Sequence, residues 1–169
     1  DEEDIKLLSK LKIKIDFGID SLSKTMLGIM RKTISPDSFL DNFLNISKTC
    51  SEYGILHDMF MIFNHPGETK KTYEEFKYFF TDKVCPDLKG GYLRIKYQRF
   101  SYYPGSYIYN HITEFQEKYG FKALHPRWWK ESIDNYSNSR DIIPSINEKG
   151  EPYYVPLKEI SKMVKEFNH

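Results

Sequence analysis

Three stretches of the chain carry apolar residues at strand spacing, and helical periods follow each one. In residues 11–19, LKIKIDFGI, Leu11, Ile13, Ile15, Phe17 and Ile19 fall on one face and Lys12, Lys14, Asp16 and Gly18 on the other. A strand with Lys and Asp on its second face lines a polar interior or lies near an edge. Residues 55–63, ILHDMFMIF, are dense in apolar side chains, as a strand buried on both faces is. Residues 92–100, YLRIKYQRF, alternate again.

The segments between them repeat at helical spacing. Ser23 is placed to cap a short helix carrying Met26, Leu27 and Met30. Ser35 and Pro36 open a longer one with the stripe Phe39, Leu40, Phe43, Leu44 and Ile46, stopped at Gly54. A helix capped by Thr69 is predicted to about Thr81, with CPDLKGG (85–91) as a loop, and another from about Ser106 to Tyr119, ended by Gly120. The opening DEEDIKLLSK reads as a helix with acids in its first turn, and the closing LKEISKMVKEF as a basic amphipathic one. Between Gly120 and that last helix the pattern changes. A short helix is expected near Trp128 and Trp129, then two extended pieces around an Asn-Glu-Lys-Gly turn.

Strand and helix alternate, with strand starts about 40 residues apart. This is the βα repeat of a parallel sheet with right-handed crossovers, an α/β fold. Residues 1–120 hold the repeats and residues 121–169 a mixed C-terminal extension. In such folds function sits at the carboxyl ends of strands. The unusual turns fall there: Asp20-Ser21, Asn64 to Thr69, and Tyr102 to Ser106. The first strand has no preceding neighbour, so the isolated chain is expected to self-associate through that edge or to need a partner.

Charge and composition narrow the classes. With 25 basic and 24 acidic residues the net charge is +1, so no global field draws the chain to nucleic acid or an anionic membrane. No apolar run has the length of a membrane span, and no signal peptide opens the chain. Cys50 and Cys85 match no metal-ligand spacing and read as ordinary thiols in a reduced, cytoplasmic setting, with no metal held by this chain. Tyr and Phe, 13 and 12 residues, make an aromatic-heavy core whose hydroxyls need partners. The abundance of Lys, Ile, Asn, Tyr and Phe hints at an AT-rich bacterial source.

The turn Asn64-His65-Pro66-Gly67-Glu68-Thr69 has two readings. In the plain structural one, Pro66 presets the turn, Gly67 supplies positive φ, and Glu68 and Thr69 stabilise a helix N-terminus. In the functional one, Asn64, His65 and the loop backbone line a small-molecule pocket, with Lys70 and Lys71 near a helix start able to hold an anion. There is no nucleotide P-loop motif. His57, His111, His125 and His169 show no ligand spacing, and Trp128-Trp129 reads as core or interface.

Taken together, Gly18-Ile19-Asp20-Ser21, Met30-Arg31-Lys32, Asn64-His65-Pro66-Gly67-Glu68-Thr69 and Pro104-Gly105-Ser106, in this order, resemble the later half of radical S-adenosylmethionine (radical SAM) enzymes. The resemblance covers residues 1–119. It implies strands four to six of a partial (β/α)6 TIM-like barrel, the preceding half being the missing partner. It also implies binding of S-adenosylmethionine (SAM) for reductive cleavage to a 5′-deoxyadenosyl radical, acting on an unknown substrate. By it, Asp20 and Ser21 fall where the ribose or amino-acid end of SAM is held. Lys32 falls where a cation meets the SAM carboxylate, and Phe100 and its loop lie near the adenine. Asn64 and His65 stand on the fifth strand's turn.

The sequence departs from the family in three ways. Asp20 stands where Glu or Gln is usual, Asn64 replaces a Gly, and the C-x-x-x-C-x-x-C that ligates a [4Fe–4S] cluster is absent. The resemblance therefore implies a cluster ligated by residues outside this chain and an isolated chain that is inactive. The extended Pro-Gly-Glu-Thr form and the trailing Trp-rich segment look most like members with a preceding cobalamin-binding domain, some of them methyltransferases. Two other readings stay open: a non-catalytic half-barrel interaction module, and a phosphate-binding βα enzyme using the Thr69 helix start.

Overall fold

The computed structural model describes residues 2–131 and 133–169. The chain divides into two compact units. The first comprises Asp1–Met61, Thr72–Gln98 and Pro156–His169; the second comprises Ile62–Lys71 and Arg99–Val155.

The first unit runs α1 (Glu2–Lys10), β1 (Ile15–Asp20), α2 (Lys24–Ile29), α3 (Pro36–Glu52), β2 (His57–Phe63) and α4 (Lys70–Phe79). It continues through a π-helical turn (Phe80–Val84), α5 (Cys85–Leu88) and β3 (Leu93–Arg99). The last residues of β2 and β3 and the first of α4 belong to the second unit. The sheet order is β1-β2-β3. β1 and β2 are parallel, with Ile15 beside His57 and Phe17 beside Met59. β3 runs the same way. His57 N–H bonds Tyr92 O at the start of the β2–β3 pair, and Phe100 N–H bonds Phe63 O at its end. The predicted α/β class with parallel strands is thus observed.

Each strand starts later than its hydrophobic pattern suggests, and β1 shows why. The Leu11 and Lys12 N–H groups bond back to Leu8 O and Ser9 O, and Lys12 takes φ 50. Those residues finish α1, and the strand begins only at Ile15. The expected loop at residues 85–91 is another difference. Cys85 to Leu88 are helical, because the π-turn carries the chain past α4 and sets Pro86 in the first turn of α5, where no N–H is required.

The two faces of the sheet differ. Ile19, Met59, Met61, Leu93 and Ile95 are buried against the helices, as is His57, whose Nδ1 bonds Ile55 O. An aromatic column runs from Tyr73 through Phe76 and Phe80 to Phe167 on α9 (Leu157–Asn168), with centroids 5.7–6.0 Å apart. The other face is polar. There Asp58, fully buried, is met by Lys14 Nζ at 2.5 Å, Arg94 Nε at 3.0 Å and the Lys96 ammonium.

In the second unit, α6 (Tyr107–Asn110) is capped by Ser106 Oγ and followed by α7 (Ile112–Tyr119). The single helix expected here breaks at His111, which has φ −123. Gly120, at φ 69, ends α7, and a Cβ there would sit 2.6 Å from the Ile146 side chain, so only glycine fits. Next come β4 (Lys122–Ala123), α8 (Trp128–Glu131), a 3-10 segment (Ile133–Arg140), β5 (Ile142–Ile143), β6 (Ser145–Ile146) and β7 (Pro152–Tyr153). β4 pairs with β5 and β6 with β7, both antiparallel. Trp128 is buried, its indole N–H donating to Tyr102 O at 2.7 Å. Among the described residues no helix is long and apolar enough to cross a membrane.

Candidate functional site

The candidate residues follow the carboxyl ends of three parallel strands, and each unit holds its own part. In the first unit, β1 ends on Asp20 with φ 65, just past a register shift between Gly18 and Asp20. Ser21 N–H bonds Ile19 O at 2.8 Å, closing a three-residue turn around Asp20. A positive φ at the centre of such a turn is strained for a residue other than glycine.

The turn is anchored on both sides. Ser21 is buried and its Oγ accepts the Ser23 N–H at 3.1 Å. Ser23 Oγ accepts Met26 N–H, as expected of a cap, and donates to Glu75 Oε2 at 2.6 Å. Thr25 donates to the same carboxylate through its N–H and its hydroxyl.

Lys32 reaches Asp20 because α2 stops in an unusual way. Arg31 takes φ 53, with Arg31 N–H bonding Gly28 O and Lys32 N–H bonding Leu27 O. This is a Schellman ending with arginine in the place glycine normally takes. It returns the chain so that Lys32 Nζ lies 2.9 Å from Asp20 Oδ2, both side chains partly exposed. A Cβ on Gly18 would lie 3.7 Å from that ammonium, so the glycine leaves it room. Asp20 and Lys32, both expected from the sequence to belong to the site, are therefore ion-paired with each other.

In the second unit the Asn64 to Glu68 turn is buried, with Asn64 at φ 59 and Gly67 at φ 96. Pro66 and Gly67 act as the plain structural reading expects. Glu68 does not: its carboxyl folds back onto the turn, and Oε2 accepts Asn64 N–H at 2.6 Å. Burial pushes this carboxyl up to about 8, against the N–H groups of Asn64 and His65, which favour its ionised form.

The extension wraps the same turn. Gly67 N–H bonds Pro144 O, Ser145 Oγ bonds Glu68 O, and Asn64 Oδ1 accepts Val155 N–H at 2.9 Å. His65 is buried, with Nδ1 against Pro66 O and its ring edge-on to Phe100 at 4.9 Å. Beyond Phe100, Gly105 takes φ 79 and Tyr102 N–H bonds Ser139 O. Beside this turn lies a cavity of about 690 Å³ lined by Thr69, Lys70, Lys71, Asn147, Lys149 and Tyr153, with two glutamates, Glu148 and Glu151, on its wall.

Cys50 is fully buried and Cys85 half-buried, both thiols pushed up by burial. Among the described residues no three His, Cys, Asp or Glu side chains gather where they would hold a metal ion.

Sequence reasoning missed Glu68 as the latch of its own turn, and it missed Asp58. The signal for Asp58 was present: a lone acid in an apolar run, flanked by strands with Lys14 and with Arg94 and Lys96 on their polar faces. No family model, no curated protein and no solved structure matches this chain.

Proposed function

We propose that this chain is the later half of a radical SAM domain, binding SAM at the carboxyl ends of its three parallel strands. The [4Fe–4S] cluster would be ligated by a preceding half, which would also be its structural partner. One observation carries the reading beyond the motifs. The strand ending Gly-Ile-Asp-Ser turns sharply at Asp20, and the α2 ending aims Lys32 at that same carboxylate. An aspartate that accepts hydroxyl or ammonium protons suits the ribose or amino-acid end of SAM, and a lysine suits its carboxylate. Ligand entry would exchange their mutual ion pair for two pairs with the ligand.

The remaining roles follow from chemistry. Bound together, SAM and the cluster supply the radical; these residues orient the nucleoside and exclude water. Asn64 and His65 act through the turn they hold, and Phe100 offers an aromatic face near the adenine. The proposed setting is the bacterial cytoplasm, and a cobalamin-binding partner domain and methyl transfer belong to the same proposal. The test is anaerobic purification of the polypeptide encoded together with its upstream sequence. The reading expects bound iron, and 5′-deoxyadenosine formed from SAM under reducing conditions. An iron-free full-length protein that leaves SAM intact overturns it.

The cavity beside the start of α4 favours a second reading, a phosphate-bearing ligand held by Lys70, Lys71 and Lys149. Titration with sugar phosphates monitored by calorimetry tests it, and no heat of binding removes it. The interaction-module reading has its own observation, the open edge of the sheet.

A further inference from the structure

The two edges of the three-stranded sheet are finished differently. On β3, the Asn168 side chain from α9 accepts the Ile95 N–H at 2.9 Å and donates to Ile95 O at 3.0 Å. A side-chain amide thus closes that edge as a neighbouring strand would. On β1 no hydrogen bond covers the outer edge among the described residues.

The direction of the open groups follows from the ladder. Ile15 N–H bonds Leu56 O, and Ile15 and Phe17 pair with His57 and Met59. In a parallel pair alternate residues turn both backbone groups to the same side. The N–H and C=O of Lys14 and Asp16 therefore face away from β2. On one face of this edge stand Ile13, exposed, and Ile15 and Phe17, half-buried; on the other stand Lys14 and Asp16. Asp16 is 55% exposed.

We propose that this edge pairs with the same edge of a second copy, antiparallel, about a two-fold axis at Ile15. In that register Lys14 lies opposite Asp16 of the second copy and exchanges both backbone hydrogen bonds with it. Ile13 lies opposite Phe17 of the second copy, and Ile15 opposite its own equivalent. A two-fold contact requires a self-complementary surface, and Ile13-Lys14-Ile15-Asp16-Phe17 has one in its charges and in its alternation of apolar and charged side chains.

Other registers fail. A shift by one residue sets outward-facing backbone groups opposite inward-facing ones. A shift by two puts Asp16 opposite Asp16, or Lys14 opposite Lys14. On the apolar face, a cavity of about 420 Å³ lies beside the edge, lined by Ile5, Leu8, Ile15, Phe17 and Ile46. Leu7 and Leu11 are exposed nearby in sequence. A second copy would cover this surface. The pairing is short, bounded by Lys12 at φ 50 and the register shift after Gly18, so the dimer is reversible rather than obligate.

This inference is independent of the SAM reading, and a preceding half-barrel on the same edge would compete with it. The test is sedimentation velocity of this chain from about 5 to about 500 µM, without SAM or iron. A concentration-dependent dimer is expected, together with slower amide exchange at Lys14 and Asp16 as concentration rises. Asp16→Lys sets like charges across the axis and weakens the dimer roughly tenfold. Asp16→Pro removes an outward N–H, leaves the β1–β2 ladder intact and abolishes the dimer. A monomer at the highest concentration, or a dimer indifferent to both substitutions, overturns the proposal.

Discussion

Among the described residues each unit buries one carboxylate, and the two are held in opposite ways. Asp58 on the polar face of the sheet has Lys14, Lys96 and Arg94 against it; Glu68 in the strand-end turn has the backbone N–H groups of Asn64 and His65. Burial pushes both upward. At Asp58 the three cations outweigh it and hold the carboxyl at about 2, while at Glu68 burial prevails and the carboxyl rises to about 8. Burial alone therefore fixes neither the charge nor the role of a carboxyl. The company it keeps makes Asp58 a permanent anion under a layer of lysine and arginine. The same rule makes Glu68 a largely protonated wedge at neutral pH.

Asp58→Ala leaves three cations crowded on one face, and a loss of about 3 kcal/mol is expected at pH 7 by urea unfolding. Because its folded pKa lies below the unfolded 3.8, the stability from Asp58 is present above that pH and is lost as pH falls toward 2. A variant within about 0.5 kcal/mol of the parent would mean that the cations do not need the carboxylate.

For Glu68 the pH dependence has the opposite sign. Its folded pKa is raised from 4.5, so its contribution is full below pH 4.5 and lost as pH rises through about 8. Glu68→Gln keeps the shape and an acceptor but cannot ionise. It should match the parent at pH 5 and exceed it by more than about 1 kcal/mol at pH 9. A parent and variant that stay parallel from pH 5 to 9 would show Glu68 ionised throughout.

Smaller effects separate backbone from side chain within the same turn. Asn64→Ala loses the acceptor for Val155 N–H and puts a Cβ-bearing residue with no polar side chain at φ 59; about 1–2 kcal/mol is expected. Asn64→Gly loses the same acceptor but relieves the backbone, so it should cost less. Thermal unfolding of the two decides it, and equal losses would assign the whole effect to the hydrogen bond. At the lower end, Lys32→Ala removes a partly exposed pair with Asp20 and should change stability by less than about 1 kcal/mol.

The strands and main helices were legible because periodicity reports local burial. Leu11 to Ile19 alternates whether or not each residue is laddered, which is why the pattern reveals the strand but starts it four residues early. Ser23 and Gly120 were readable because capping and left-handed endings are local chemistry. The wrapping of the Asn64 turn by Pro144, Ser145 and Val155 was not readable, since contacts across some 80 residues leave no spacing signal. Arg31 and Asp20 were hidden for a different reason: glycine marks a left-handed position in sequence, and arginine and aspartate do not.

Lys32 also offers the most direct measurement of the functional claim. Equilibrium dialysis of labelled SAM against the iron-loaded full-length protein would compare the parent with Lys32→Ala and Asp20→Asn, both being expected to fold normally. The account predicts that each substitution weakens SAM binding at least tenfold while leaving the iron content unchanged. SAM binding that is unaltered in both variants, or absent from the parent, would contradict it.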